Sequence, residues 1–140
     1  VYSLLGDGEI QEGQVWEAAM FAGFHKLDNL VLIVDNNGLQ IDGKIEDVCS
    51  PYPIDEKFRA FNFHVIDVAD GNDMEQLRQA FAEARSTKGM PTAIIAHTVK
   101  GKGVSFMENI VGWHGTPPDL KQSEQARKEL EARLHKEEQA

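Results

Sequence analysis

The sequence predicts an α/β fold in which helices cover both faces of a doubly wound, mostly parallel sheet. Apolar runs of strand length alternate along the 140 residues with segments of helical periodicity, and glycine-containing or polar turns separate them. A chain of this length is long enough for one domain with a substantial core. Strands that alternate with helices are joined by right-handed crossovers, which place successive strands parallel to one another.

The first three elements are a strand, a helix and a second strand. Residues 1–5 (VYSLL) predict the first strand, which ends at Gly6-Asp7-Gly8. Residues 30–34 (LVLIV) predict the second strand, which ends at residues 35–38 (DNNG). Between them, small and apolar residues recur at helical spacing, and the face that they share consists of Val15, Ala18, Ala19, Ala22 and Gly23.

The middle of the chain repeats this alternation. After a proline-containing loop, residues 54–60 predict a short helix and residues 62–68 (NFHVIDV) a third strand. Asp73 is a favourable N-cap for a helix over residues 74–85, and residues 91–97 (PTAIIAH) predict a fourth strand. The helix over residues 74–85 has one apolar face, which consists of Leu77, Ala80, Phe81 and Ala84.

The last part of the chain divides into a loop and a charged tail. Residues 98–118 contain several glycines and Trp113-His114-Gly115, and they follow the carboxyl end of a strand, so this loop can fold over the edge where the sheet's ligands bind. The tail over residues 122–139 is rich in Glu, Lys and Arg and predicts a solvated surface helix. We therefore expect a ligand-binding domain over residues 1–118 and a charged C-terminal helix over residues 119–140.

Oxygen-bearing side chains follow the first two strands. The carboxyl ends of parallel strands share one edge, so Asp7 and Asn37 are expected to lie close together. Carboxylate and amide oxygens suit magnesium or calcium, and magnesium in proteins commonly completes its shell with phosphate oxygens. Gly6 and Gly8 allow backbone N–H groups to approach an anion at the start of the following helix. The sequence therefore predicts a magnesium–diphosphate site at this edge.

The same stretch resembles a known family. The matching residues are Gly6-Asp7-Gly8, Glu12-Gly13, Glu17-Ala18, Leu27-x-Asn29-Leu30, Asp35-x-Asn37 and Ile41-Asp42-Gly43. This pattern is similar to the thiamine diphosphate motif of transketolases, whereas the wider set of thiamine diphosphate enzymes shares only GDG and a downstream Asn. The resemblance implies the thiamine diphosphate-binding fold. It covers essentially all of this chain but only part of the family's cofactor domain, and it favours a segment of a longer polypeptide.

The resemblance also implies roles for individual residues. The side chains of Asp7 and Asn37 and the backbone carbonyl of Leu39 would bind Mg²⁺ (or Ca²⁺). His114 would contact the diphosphate and the reacting substrate, and Glu12 would lie at a subunit interface in a carboxylate relay between two sites, although a carboxylate is favourable at a helix start in any case. The thiamine diphosphate-binding residues would be Gly6, Asp7, Gly8, Glu9, Asn37, Ile41, Lys100 and His114. Lys100 is equally well explained as a solvated lysine.

The implied reaction is transfer of a two-carbon ketol unit from a ketose phosphate to an aldose phosphate. In this family the glutamate that activates the cofactor comes from a C-terminal transketolase domain or subunit, so we expect such a partner in a homodimer or heterotetramer, and no turnover by this chain alone. Cys49 is the single cysteine and cannot form an internal disulfide, which fits a reducing cytoplasm.

Several other function classes are considered. A net charge of −9 argues against non-specific nucleic-acid binding. The sequence has no apolar stretch of transmembrane length, so membrane insertion is not predicted. A dinucleotide-binding oxidoreductase would need glycine where Gln11 stands in G-x-G-x-x-G. Another thiamine diphosphate enzyme, such as a deoxyxylulose phosphate synthase, stays open, and so does a non-catalytic cofactor-binding or assembly subunit. His97 ends the fourth strand and could approach the same edge.

Overall fold

A computed structural model describes residues 1–137, and its strands form two sheets. The strands are β1 (Tyr2–Gly6), β2 (Val31–Asn36), β3 (Leu39–Gln40), β4 (Gly43–Lys44), β5 (His64–Val68) and β6 (Thr92–His97). Four of them form one parallel sheet in the order β1-β2-β6-β5, and β3 pairs with β4 in a small antiparallel hairpin.

Within residues 1–137, five helices accompany the sheet: α1 (Gly13–Phe24), α2 (Ile45–Cys49), α3 (Ile54–Ala60), α4 (Met74–Ser86) and α5 (Leu120–Glu137). Short 3-10 turns occupy Glu9–Gln11 and Val111–Trp113. The predicted strands and longer helices are confirmed to within about two residues. Of the predicted charged tail, residues 138–140 lie outside the described residues.

Helices pack on both faces of the sheet, as predicted. On one face, Phe58 of α3 and Ala19 of α1 are buried with alternate residues of the central strands, such as Val34. On the other face, Ala80 and Ala84 of α4 pack with the intervening strand residues. Because alternate residues of a strand point to opposite faces, two apolar layers require strands with continuous apolar runs, which β2 has over residues 31–34 and β6 over residues 93–96.

Residues 39–49 form a hairpin and a short helix, whereas the stretch after Gly43 is predicted to be a proline-containing loop up to the helix over residues 54–60. The chain forms the β3–β4 hairpin, and α2 follows it at once, so Cys49 is the exposed last residue of a short helix rather than part of a loop. Gly43 adopts a φ of +143°, which a non-glycine residue rarely adopts, and Ile45 is buried at 1% exposure. The hairpin therefore folds back over the carboxyl edge of the main sheet.

The strand order explains where ligands can bind. The chain passes from β1 to its neighbour β2, then crosses to the far edge at β5, and returns through α4 to β6. Such a change of direction opens a crevice beyond the carboxyl ends of the strands. Gly6 is in register with Asp35, and the Asp7 N–H donates to the Asp35 carbonyl at 3.1 Å. Within the described residues, no helix has both the length and the apolar character to cross a lipid bilayer.

Candidate functional site

Asp7 lies at the centre of the crevice and is only 1% exposed. Its Oδ1 accepts a hydrogen bond from the Gly8 N–H at 2.9 Å, and its Oδ2 accepts one from the Gly38 N–H at 2.5 Å. Burial raises the pKa of Asp7 above its ordinary value; the two N–H groups lower it in part, and the nearby Asp35 raises it further. A cation beside Asp7 would therefore stabilise a carboxylate whose charge is otherwise costly.

Asn37 is held in place by its neighbours. Its Oδ1 accepts a hydrogen bond from the Leu39 N–H at 3.0 Å, and its Nδ2 donates to Asp35 Oδ1 at 3.2 Å. The hydroxyl of Thr98, which follows β6, donates to the same oxygen of Asp35. Asp35 thus orients the Asn37 amide, whose Oδ1 accepts one hydrogen bond and has the capacity for a second donor or a cation.

The predicted site residues come from three segments and meet in one cleft of about 420 Å³. Nine of the ten candidates line it: Gly6, Asp7, Gly8, Glu9, Asn37, Leu39, Ile41, Lys100 and His114. Gln11, Asp35, Gln40 and Asp42 complete the lining. A larger apolar groove of about 820 Å³ between β1 and α4 contains none of the candidates.

The loop after β6 supplies the last two cleft residues. The Val99 N–H donates to Asn72 Oδ1 at 2.8 Å, which fixes the start of the loop, and the Asn109 N–H donates to the Lys100 carbonyl at 2.9 Å. His114 follows a 3-10 turn and is exposed. In the part of the chain that the structure describes, neither the Lys100 nor the His114 side chain has a hydrogen-bond or ion-pair partner, so both are available to a ligand.

Glu12 lies apart from the other candidates. It is the N-cap of α1, its side chain makes no capping hydrogen bond, and it is exposed outside the cleft. The outward face of the same helix carries the exposed apolar residues Met20, Phe21 and Phe24. The contacts of Glu12 among the described residues do not test its predicted role at a subunit interface, which stays a prediction.

Two glutamines support the cleft and were not predicted. Gln11 Nε2 donates to Gln40 Oε1 and to the Cys49 carbonyl, each at 2.6 Å. A Cβ added at Gly8 would come within 3.0 Å of Gln40 Cβ, so glycine keeps this side of the cleft open. The Gly8 N–H, expected to face a phosphate, donates to Asp7 in this structure. Isolated glutamines carry no spacing signal, which is why sequence reasoning missed them.

The donor set fits a magnesium diphosphate. Among the described residues, no three His, Cys, Asp or Glu side chains form a group that could hold a metal ion by themselves. The cleft instead offers one carboxylate at Asp7, one amide oxygen at Asn37 and the Leu39 carbonyl. Magnesium typically takes one or two protein carboxylates and completes its shell with water and phosphate oxygens.

Comparison with known proteins gives a consistent result. The family model described as transketolase, thiamine diphosphate binding domain, matches residues 1–137. The chain is 40% identical over 137 residues to the 6-deoxy-6-sulfo-D-fructose transketolase subunit SqwG of Clostridium sp. (strain MSTE9), with 98% of this chain and 48% of that protein covered. It is 43% identical over 135 residues to an apulose-4-phosphate transketolase subunit of Phocaeicola vulgatus, with 96% and 48% covered.

A solved structure agrees with these sequence matches. The transketolase from Campylobacter jejuni superposes with a TM-score of 0.86 at 34% identity, over 92% of this chain and 20% of that one. The chain thus spans about half the length of the two subunit relatives, at 48% of each, and a smaller share of the solved transketolase.

Proposed function

We propose that this chain, which belongs to the transketolase family as its thiamine diphosphate-binding domain, holds thiamine diphosphate and Mg²⁺ in the cleft between Gly6–Gly8 and Asn37–Ile41. One observation carries the proposal: nine residues predicted from separate stretches of sequence line a single cleft at the carboxyl edge of the sheet. The buried carboxylate of Asp7 and the amide oxygen of Asn37 suit a metal ion. The unpaired side-chain nitrogens of Lys100 and His114 suit the oxygens of a diphosphate.

Each group of residues has a distinct task in this proposal. Asp7, Asn37 and the Leu39 carbonyl hold the metal ion, and the missing side chain at Gly8 leaves room for the diphosphate. Lys100 and His114 donate to phosphate or substrate oxygens, because their side chains have no other partner in the described part of the chain. The bound cofactor supplies carbanion stabilisation, and the protein binds, orients and tunes it.

The proposed reaction of the complete enzyme is transfer of a two-carbon ketol unit from a ketose phosphate to an aldose phosphate. The relatives that match include proteins named as transketolase subunits, of which this chain covers 48%, and this supports a partner domain or subunit. The exposed Met20 (61%), Phe21 (60%) and Phe24 (79%) support a subunit interface on α1, the helix that Glu12 caps. We propose a homodimer or a heterotetramer in the cytoplasm.

A second candidate is a subunit that binds cofactor but has no activity of its own. Its support is the same pair of subunit relatives, and the two candidates differ in what an added partner does. The purified chain alone is expected to show no ketol transfer in a coupled assay with a ketose phosphate and an aldose phosphate. Activity that appears on addition of the C-terminal domain or subunit supports the first candidate, and activity without it contradicts the need for a partner.

Calorimetric titration tests the cofactor proposal directly. Thiamine diphosphate is titrated into the complete protein, assembled with its partner, with and without Mg²⁺. We expect magnesium-dependent binding that Asp7→Ala abolishes. The matched control is Asp47→Ala, which removes an exposed aspartate of α2 that lies outside the cleft, and it should keep wild-type affinity. Absence of binding by the folded, assembled protein would contradict the proposal.

A further inference from the structure

A chain of hydrogen-bonded side chains runs across the carboxyl edge of the sheet. His97 Nε2 lies 2.8 Å from Asp67 Oδ1, His97 Nδ1 lies 3.1 Å from Asn36 Nδ2, and the Tyr52 hydroxyl donates to Asn36 Oδ1 at 2.7 Å. These residues come from β5, β6, the end of β2 and the loop after α2. None of the four lines the cleft, and none is explained by the roles assigned so far.

The donors and acceptors of this chain can be ordered by elimination. An amide nitrogen only donates, so His97 Nδ1 accepts from Asn36, and the ring proton lies on Nε2, where it donates to the Asp67 carboxylate. Tyr52 then donates to the other end of the Asn36 amide. Burial, followed by the charge of Asp7, raises the pKa of the Tyr52 hydroxyl, which keeps it protonated and able to donate. The Asn36 amide is therefore held from both sides.

Asn36 is the residue from which the metal-side turn starts. It is 7% exposed, and its carbonyl accepts the Thr98 N–H at 3.2 Å. The next residues are Asn37 and Gly38, and Gly38 has a φ of +74°, a left-handed conformation that favours glycine. The turn follows Asn36 directly, so an Asn36 side chain that is held on both sides fixes the point from which the turn starts.

We propose that His97 is a positioning residue. With Asp67 behind it and Tyr52 on the opposite side, it fixes the Asn36 amide and thereby the turn that presents the Asn37 side chain and the Leu39 carbonyl. The inference rests on the proposed function, because those two oxygens are the proposed metal ligands. His97 acts through Asn36 and touches neither the metal nor the substrate.

The chain contains a matched control for this pair. His64 Nε2 lies 2.7 Å from Glu83 Oε1 at the start of β5, so it is another strand histidine bonded to a carboxylate. The side chains of His64 and His97 are 34% and 45% exposed. Only His97 has an asparagine on its second nitrogen. His64→Gln therefore measures the loss of a histidine–carboxylate pair without any effect on Asn36.

The first test needs no ligand and uses amide hydrogen exchange in the complete protein. The reporters are the Gly38 and Leu39 N–H groups, which donate to Asp7 and Asn37. We expect about five- to tenfold faster exchange of both in His97→Gln and in Tyr52→Phe, the size expected for losing one or two hydrogen bonds. Exchange within β2 should stay constant, and His64→Gln should leave both reporters unchanged.

The second test measures the Mg²⁺ concentration that gives half-maximal thiamine diphosphate binding. Loss of groups that orient metal ligands typically weakens metal binding by about tenfold or more, so His97→Gln should raise this concentration about tenfold. His97→Asn keeps an acceptor near the Nδ1 position and should recover part of the loss. Both changes release the Asn36 amide. The double variant His97→Gln/Tyr52→Phe should therefore need no more Mg²⁺ for half-maximal binding than the single variant with the larger requirement.

Three outcomes overturn the inference. The first is exchange of the Gly38 and Leu39 N–H groups in His97→Gln at the same rate as in His64→Gln. The second is a wild-type protein that binds thiamine diphosphate and a His97→Gln variant with the same magnesium requirement. The third is additive effects in the double variant. A wild-type protein that binds no thiamine diphosphate contradicts the proposed function instead, and the exchange experiment still decides the positioning role.

Discussion

The two halves of the cleft are built in different ways. In the strand-end half, formed by residues 6–9, 11, 35, 37 and 39–42, the side-chain oxygens of Asp7 and Asn37 already accept backbone N–H groups. In the loop half, formed by Lys100 and His114, the side chains have no partner among the described residues. The first half is held in place before any ligand arrives, whereas the second half offers unused donors.

This difference suggests that the strand-end half serves mainly to bind the cofactor and the loop half mainly to assist the reaction. Oriented oxygens hold a metal without reorganisation, which is what a preorganised site requires. Unpaired donors at the end of a loop can instead follow oxygen atoms whose charge changes during a reaction. Changes in the strand-end half should therefore lower cofactor affinity, and changes in the loop half should lower turnover at nearly constant cofactor affinity. Variants in the two halves can test whether this division holds.

The largest expected effect is that of Asp7→Asn. Removing the charge should weaken magnesium-dependent thiamine diphosphate binding more than about 100-fold, because even residues that only orient a ligand typically contribute about 10- to 100-fold. Burial raises the pKa of Asp7, so the ionised form costs folding free energy at pH values above the unfolded-state pKa, and this cost grows until the pH passes the folded-state pKa. The melting temperature of the ligand-free variant at neutral pH should therefore not fall.

Calorimetry and thermal unfolding check both parts of this prediction. Asp47→Asn is the control, since Asp47 is exposed and lies outside the cleft. A clear fall in the ligand-free melting temperature of Asp7→Asn would show that the two N–H bonds to Asp7 outweigh its burial cost, and the affinity loss could then reflect a disturbed fold.

The next effect is that of His114→Ala in the loop half. Loss of a hydrogen bond to a charged group is worth about 1.5–3 kcal/mol, or about 10- to 100-fold. We expect kcat of the assembled enzyme to fall by about this factor, while the dissociation constant of thiamine diphosphate changes less than about fivefold. Steady-state kinetics beside calorimetry measures the two quantities separately. A loss of cofactor affinity as large as the loss of kcat would remove the distinction between the two halves.

A smaller effect is expected from Lys100→Met, which keeps the length of the side chain but removes its charge. An attraction between a partly exposed lysine and a phosphate should contribute about two- to fivefold to thiamine diphosphate affinity and should weaken as salt rises. Lys102→Met is the matched control, because Lys102 lies 4.0 Å from Glu108 and does not line the cleft. Equal effects of the two variants on binding at low and high salt would support a solvated Lys100.

Much of the fold was predictable because its elements are long. The strands and α4 extend over enough residues for apolar periodicity to show, and the carboxyl-edge rule then placed Asp7 and Asn37 together. The two-residue strands of the hairpin and the five-residue α2 are too short to show any period. Their positions depend on tertiary contacts such as the burial of Ile45.

The supporting residues of the cleft were harder to predict than its ligands. Ligand residues belong to a chemical type that metals and phosphates require, so their identity carries information. Tyr52 and Gln11 act through partners that are distant in sequence, 16 residues for Tyr52 with Asn36 and 29 for Gln11 with Gln40. Nothing in their local sequence distinguishes them from surface residues. The interface role of Glu12 depends on a second chain and stays a prediction.

The smallest expected effect concerns how α5 holds the loop half. Glu129 accepts hydrogen bonds from the Ser105 N–H at 2.6 Å and the Ser105 hydroxyl at 2.9 Å, and a Cβ at Gly103 would come within 3.0 Å of Leu130. The Ser105 N–H, then Gln125 and the Ser105 hydroxyl, lower the pKa of Glu129 below its usual 4.5. This contact should be complete at pH values above the unfolded-state pKa and lost as the pH falls through the lower folded-state pKa.

Glu129→Gln separates this contact from the general effect of acid. At neutral pH the variant should show about two- to fivefold faster exchange of the Ser105 amide, in keeping with one weakened hydrogen bond, and kcat should change less than about twofold, because no cleft residue bonds to Glu129. An NMR titration of the wild-type Ser105 amide should show a transition below pH 4.5, and the variant should lack it. Glu124→Gln alters the Glu124–Lys128 pair on the same helix and should retain the transition. If kcat fell with Glu129→Gln as it does with His114→Ala, the loop half would also be held in place before a ligand arrives, and the contrast between the two halves would be one of degree.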